Sequence, residues 1–453
     1  MQVVYRRCCG VDVHKDSLTA CVLILGEDGQ RELRKKEFRT DLKSLYKFML
    51  WLFACKVEHV AMESTGVYWK PVWNVLEGHF PLLLANPYHM KNIPGRKTDQ
   101  KDAEWIADLL AHGLLRASFV PPRETRNLRD LTRYRVKLVE ERNRIHSRVA
   151  KVLEDANIKL SSVASDILGT SGRNILTQIA NGCERPDELA YRAINRLRAS
   201  RAEVRRALYG DVSEHHRYML RHLLDEFQHV EEKISEIQTE IRKRMQPHQA
   251  VIERLMTIPG VDMVTAWTLI AELGLEMKTF ADADHAASWA GLVPGSYESA
   301  GKRKSTSTRH GNRWLRRALC QSAWAVSRKK DCQLTALFYR RACQHGVKKA
   351  IVATAHRLLV IAYYLLRDGG VYRERGGDFY DRLHPERTAR RLTKRLERLG
   401  AEVIVKWPAP PTATAPKRGR GRPCKCAERS IPCPHDRNKS EGSWPPTLGE
   451  SNG

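Results

Sequence analysis

Two apolar stripes, each too long to be buried by its own helix, divide this chain into parts. Leu128, Leu131, Leu138, Ile145, Val149 and Val152 recur at helical spacing along a segment studded with Arg and Glu. Val230, Ile234, Ile237 and Ile241 follow the 4-3-4 spacing of a coiled-coil seam, within a helix predicted from about His215 to Met245. Helices of this length need a partner, either each other or a second subunit. We expect a coiled-coil arm over 123–250 that also dimerises, with a plain hairpin inside one chain as the alternative. Ile194 to Leu208 adds a basic helix, and Ser161 to Gly172 reads as a turn.

Ahead of the arm, residues 1–122 alternate short apolar strands and helices. Strands are expected at Cys8–Val13, Leu18–Leu25 and Arg31–Arg39, the last two joined by the turn Glu27-Asp28-Gly29. A helix over Leu42–Cys55, a strand over Val57–Met62, a helix over Tyr68–Leu76, a strand over Pro81–Ala85 and a helix over Lys97–Leu115 follow. A three-strand meander followed by alternating helix and strand describes an α/β ribonuclease H-like domain. Four acids fall at its element ends: Asp12, Glu63, Asp99 and Asp102. Carboxylates from neighbouring strands and one helix can converge on a pair of Mg²⁺ ions about 4 Å apart, the arrangement used for in-line phosphodiester chemistry. Taken singly, each is an ordinary strand end or helix cap. Lys91, Arg96 and Lys97 stand just before the acidic pair, where a phosphate backbone would rest.

Beyond the arm, Leu255–Leu273 reads as helix, Pro-Gly turn, helix, a helix-hairpin-helix pattern in a mainly α domain over 251–370. The turn Pro259-Gly260-Val261 would offer backbone N–H groups to a DNA phosphate, with the following helix N-terminus adding its dipole. Then comes GLVPGSYESAGKRKSTSTRHGNRWLRR, Gly291 to Arg317, read as a loop because five glycines and prolines interrupt it. Its hydroxyls (Ser296, Ser299, Ser305, Thr306, Ser307) alternate with Lys302, Arg303, Lys304 and Arg309, and Asn312 and Arg316 follow. Cations hold phosphate and a hydroxyl attacks it; a basic surface loop without chemistry is the plain alternative. Helices are expected at Trp314–Val326 and Lys348–Leu366.

Charge narrows the partners. Lys and Arg number 78 against 52 acids, a net charge of +26, and a surplus of that size points to nucleic acid before a membrane surface. No signal peptide is read at the N-terminus and no apolar run is read as membrane-spanning, so a cytoplasmic, nucleoid-associated site is expected. The eleven cysteines look like reduced thiols rather than a disulfide framework. The tail over 371–453 is expected to be disordered. It holds Arg420-Gly421-Arg422-Pro423, the core of an AT-hook, and Cys424, Cys426, Cys433 and His435, a set able to bind zinc but oddly spaced for it.

GVDVHKDSLTACVL, AMESTGVYWKPVW and KTDQKDAEWIADLL, in that order, resemble the DEDD motifs of bacterial insertion-sequence transposases of the IS one-ten family. IPG, TA, the glutamate of IAELG, WAGLVPG, SAGK and HGNRWLRR resemble the family's second domain in order and spacing. The resemblance implies a RuvC-like domain with Asp12, Glu63, Asp99 and Asp102 as the DEDD set. It implies a catalytic serine at Ser299, with Ala300 where glycine is common, which leaves Ser296 and Ser305 open. A covalent phosphoserine link, strand exchange, a structured bridge RNA pairing with donor and target DNA, and a tetramer are further implied. Two other classes fit the residues: a RuvC-like nuclease working through metal-activated water, and a DNA-binding factor without activity.

Overall fold

A computed structural model describes residues 3–26, 30–64, 66–85, 102–183, 185–193, 199–295, 297–299, 302–305 and 307–407, with the backbone alone for 190–193, 297–299 and 302–305. Strands β1 (Arg7–Val13), β2 (Ser17–Leu25) and β3 (Arg31–Arg39) form the expected antiparallel meander. Helix α1 (Leu42–Ala54) crosses to β4 (His59–Glu63), which pairs parallel with β1, and α2 (Trp69–Leu76) crosses to β5 (Leu82–Ala85), parallel to β4. The sheet order is β3-β2-β1-β4-β5. β3 is an edge strand and nearly all charged, RELRKKEFR, which discourages pairing with another chain.

Alternation along β1 sorts the two faces. Cys9, Val11 and Val13 pack with Leu45, Phe48 and Leu52 of α1 on one side. Cys8 packs on the other with Ile106, Ala107 and Leu110 of α3 (Asp102–Ala111). The middle of β1 on that second face is Gly10. A Cβ there would lie 2.2 Å from the carbonyl oxygen of Ala103 and 2.3 Å from the backbone nitrogen of Ala107. Glycine therefore lets the backbone of α3 lie directly on the strand.

The arm is α4 (Arg123–Asp155) and α8 (Glu214–Met245). Arg142 pairs with Glu231 at 3.0 Å, Arg148 with Glu226 at 3.3 Å, and His216 with Asp155 at 2.9 Å. Partners descend on one helix as they ascend on the other, so the two run antiparallel. Val230 and Ile234 bury against Ile145, Val149 and Leu153 in one core. The stripe that suggested a second subunit is thus covered within one chain. Helices α5 (Thr170–Ala180), α6 (Pro186–Ala193) and α7 (Arg201–Ala207) lie between the arm helices in sequence. Two of these helices were not anticipated, and the turn expected up to Gly172 ends where α5 begins.

The remaining core gathers α9 (Gln249–Met256), α10 (Met263–Leu273), α11 (Ala283–Trp289), α12 (Arg313–Val326), α13 (Gln333–His345) and α14 (Val347–Asp368). By length and composition α14 could cross a membrane, contrary to the expectation that no run reaches that length; most of it is buried among the other helices. Between α11 and α12 the expected loop is partly a ribbon, β6 (Tyr297–Ser299) antiparallel to β7 (Lys302–Ser305). The chain after 370 is not structureless. Tyr372 N–H donates to Thr257 Oγ1 at 3.0 Å, Gly377 N–H donates to Asp331 Oδ1 at 2.8 Å, and helix α15 (Phe379–Leu383) follows. Residues Leu383–Gly453 form a separate unit that contains α16 (Pro385–Glu397). The AT-hook-like and Cys/His segments lie outside the described residues.

Candidate active site

The parity that puts Cys8 and Gly10 on the α3 face puts Asp12 there too. In β4, Val60 and Met62 join the α1 face and Ala61 the α3 face, so Glu63 shares the α3 face. β1 and β4 are parallel, with Val11 opposite Met62. Asp12 and Glu63 are therefore the next residues along neighbouring strands, at their C-terminal ends. Asp102 opens α3, one residue before the Ala103 carbonyl that presses on Gly10. Glycine at position 10 thus sets how close the third carboxylate comes to the first. Asp12 is half-buried, with His14 Nε2 at 3.2 Å from its Oδ2; sequence reasoning missed that neighbour, although it stands in the quoted GVDVHKDS motif. Asp99, Lys91 and Lys97 lie outside the described residues. Among the described residues no group of three His, Cys, Asp or Glu is close enough to hold a metal ion.

Ser299 ends β6 and sits opposite Lys302, with Glu298 opposite Arg303. Ser305 stands in β7 opposite Tyr297, and Ser296 lies outside the described residues. Beneath the ribbon its two ends are zipped together. Gly295 N–H donates to the Ser307 carbonyl at 2.8 Å, Arg309 N–H to Val293 at 3.3 Å, and Asn312 N–H to Trp289 at 3.0 Å. Gly291 (φ +71°) and Gly311 touch backbone to backbone: a Cβ on Gly311 would lie 2.3 Å from the Gly291 nitrogen. These glycines, read from sequence as loop breakers, permit the close approach of the stem.

Asn312 is occupied inside the protein. Its Oδ1 caps α12, accepting from the N–H groups of Trp314 and Leu315 at 3.1 and 3.0 Å, and its Nδ2 donates to Glu272 Oε2 at 2.6 Å. Glu272, on α10, is fully buried. Arg133 of α4 clasps it with two bonds, Nε to Oε1 at 2.7 Å and Nη2 to Oε2 at 2.8 Å. Arg129, buried one turn earlier, donates to the carbonyls of Ala271 and Glu272 at 2.8 and 2.5 Å. Burial pushes the Arg129 guanidinium down to about 10, with Glu272 pulling it back up. No charge count flags this cluster in the sequence; the nearest hint was the glutamate of IAELG in the resemblance.

Arg309 is exposed and Arg316 half-buried. Arg133, Lys137 and Arg313 surround the Trp314 ring at 5.8, 5.7 and 4.5 Å from its centroid. The Pro259-Gly260 turn joins α9 to α10 as expected. A Cβ on Gly260 would meet the Ser322 carbonyl at 2.6 Å, so one side of the turn is pressed against α12. Val261 N–H, one of the donors expected to face phosphate, instead donates to the Ile258 carbonyl at 3.1 Å, and Asp262 caps α10 by accepting from Thr265 N–H at 2.8 Å.

Comparison with known proteins agrees with both halves. Residues 9–158 match the family model of the IS110 DEDD domain, described as Transposase, and residues 252–340 match the model described as Transposase IS116/IS110/IS902 family. The transposase for insertion sequence element IS1328 of Yersinia enterocolitica is 25% identical over 370 residues, 80% of this chain and 97% of that protein. The insertion element IS900 uncharacterized 42 kDa protein of Mycobacterium paratuberculosis is 27% identical over 333 residues, 64% of this chain and 80% of that one. The chain is an enzyme, a DNA-transferring transposase. More narrowly, it is an insertion-sequence transposase with two IS110-family matches, the first taking in the N-terminal domain together with arm helix α4 and the second running from α9 into α13.

Proposed function

We propose that this transposase cuts and rejoins DNA with Ser299 as nucleophile and Mg²⁺ held by Asp12, Glu63, Asp99 and Asp102. The observation that carries the proposal is the placement of Asp12 and Glu63 at adjacent parallel strand ends, on the face where α3 presents Asp102. An all-carboxylate donor set suits a hard divalent cation. When bound, that ion neutralises the phosphate and supports in-line displacement. The Ser299 oxygen bonds to phosphorus as its hydroxyl gives up its proton, the bond to one deoxyribose oxygen breaks, and that oxygen takes up a proton and leaves as a hydroxyl, so the step is proton-neutral. Because the phosphodiester energy is kept in the phosphoserine bond, a second DNA hydroxyl can reverse the step on a new strand.

Lys302, Arg303, Lys304, Arg309 and Arg316 would hold the DNA backbone around the ribbon, with Lys91, Lys97 and the Pro259-Gly260 turn as further contacts. The net charge of +26 accommodates a structured guide RNA beside DNA, and nuclease-sensitive RNA co-purifying with the protein tests that part. Assembly of two to four copies is also proposed. Since the arm seam is covered within the chain, assembly would use other surfaces, and light scattering with and without DNA tests it.

The decisive experiment incubates the full chain with a plasmid carrying the DNA that flanks its gene, in Mg²⁺, and looks for a denaturation-resistant protein–DNA adduct. Wild type should form it; Ser299→Ala and Asp12→Ala should not. An adduct retained by Ser299→Ala, lost only in Ser296→Ala or Ser305→Ala, would move the nucleophile. Strand cleavage by Ser299→Ala without any adduct would favour metal-activated water instead.

A further inference from the structure

We propose that Glu272 and Asn312 form a positioning node that fixes the β6–β7 ribbon relative to arm helix α4. The inference rests on the reading that Ser299 of that ribbon is the nucleophile. Three arginines on α4 stand at i, i+3 and i+7, so they share one face of the helix. Arg126 reaches back to the N-terminal domain, donating to Glu77 Oε1 and Oε2 at 2.8 and 2.7 Å and to Asn74 Oδ1 at 2.9 Å, on and just after α2. Arg129 and Arg133 reach forward to Glu272 and the end of α10. The first turns of one rigid helix therefore grip both halves of the enzyme.

From Glu272 the connection continues through one bond, Asn312 Nδ2 to Oε2. Asn312 is the last residue of the zipped stem and the first cap of α12. Three directional links thus run in series, from the α4 guanidinium to the buried carboxylate, from there to the Asn312 amide, and from Asn312 to the stem. A bidentate guanidinium–carboxylate pair, here a half-buried Arg133 on a fully buried Glu272, adds geometric specificity to the contact. Neither Glu272 nor Asn312 is placed to touch the phosphate, since the carboxylate is fully buried and both polar atoms of the amide are occupied. Their effect would pass through the ribbon. An error of about 1 Å in a nucleophile's position can cost on the order of a hundredfold in rate.

The test separates position from stability. Asn312→Asp keeps a carboxylate oxygen that caps α12 but removes the donor and sets a second carboxylate against Glu272. Asn312→Ser keeps a hydroxyl cap and shortens the reach to Glu272. Each full-length variant is measured for melting temperature, for binding of the gene-flanking plasmid DNA, for single-turnover strand transfer at saturating DNA in Mg²⁺, and for hydrogen–deuterium exchange. We expect DNA affinity to hold while the rate falls on the order of ten- to a hundredfold, with faster exchange confined to residues 291–311. Combining Asn312→Asp with Glu272→Gln restores one amide against one carboxylate with their places exchanged, but a Gln oxygen accepts only one of the two Arg133 bonds; the double variant should therefore recover part of the rate lost in Asn312→Asp while staying below wild type. Wild-type rate in both single variants would overturn the proposal, as would a loss that merely tracks melting temperature, or unchanged exchange in the stem. If Ser299→Ala proves fully active, the nucleophile reading fails by itself, while the exchange and rescue results still judge the node.

Discussion

Replacing Gly10 by alanine tests the architecture of the acidic site without touching an acid. The new Cβ would lie 2.2 Å from the Ala103 carbonyl oxygen and 2.3 Å from the Ala107 nitrogen, against 3.4 Å for ordinary contact. Both neighbours are helix backbone, so neither can swing aside as a side chain would. α3 must retreat by about 1 Å, or β1 must bend, and overpacking of this kind costs about 1–3 kcal/mol. At roughly 2–4 °C per kcal/mol for a unit of this size, the melting temperature should fall by several degrees. The larger effect should be catalytic. Asp102 precedes Ala103 directly, so the retreat carries its carboxylate away from Asp12. A displacement of about 1 Å is expected to lower metal-dependent strand cleavage on the order of a hundredfold, partly recovered by raising Mg²⁺. Gly370→Ala is the control, because a Cβ there meets nothing within 4 Å. Circular dichroism melting and plasmid cleavage are the assays. A Gly10→Ala protein that melts and cleaves like wild type would refute the claim that α3 rests on this glycine.

Two further predictions concern pH. Burial pushes the Cys8 thiol up to about 12 and the Cys21 thiol to about 11, and raises Cys9 well above its ordinary value of 9.0. The fold favours the neutral thiols, so this stability is whole below pH 9.0 and is lost as pH climbs through the 11–12 range. Native protein at pH 8 should be alkylated at exposed Cys343 and not at these three, read by mass spectrometry; equal labelling would contradict their burial. At the acid end, the Arg126 hydrogen bond holds the Glu77 carboxyl below its ordinary 4.5. That contribution is present above 4.5 and lost as pH falls through the lower folded value. Arg126→Ala should destabilise by about 1–3 kcal/mol near neutrality and show a flatter loss of melting temperature between pH 5 and 3 than wild type. Parallel curves would show that the pair does not matter to the fold.

Much of the N-terminal domain was legible because its signals are local. Period-two burial in β1 and β2 and helical spacing in α1 put each element within a few residues of where it forms. The same alternation placed Asp12 and Glu63 correctly at strand ends. The arm helices were equally plain, but their partner was not, since an apolar stripe does not say which other stripe covers it; the order of ion pairs from Arg142–Glu231 to His216–Asp155 decides it. The ribbon was read as loop because glycines and a proline punctuate it, and its strands, three and four residues long, are too short to show an alternation against them. The helices after residue 370 were hidden by the Gly-rich, charged composition around them.

The node escaped for a different reason. Arg126, Arg129 and Arg133 looked like solvated charge on a polar helix, since their partners lie 49 to 143 residues away. A buried salt bridge is weak evidence for stability, because desolvating both ions offsets most of their attraction. Removing one partner, however, strands the other and costs about 3–5 kcal/mol. Such a pair adds little net stability yet strongly disfavours any other docking of the same surfaces. An apolar contact between α4 and α10 could slide; two parallel N–H···O bonds to one carboxylate cannot. If a serine on a short ribbon must meet phosphate at a fixed distance from the metal-holding acids, directional bonds at the root of the arm are where that accuracy would be set.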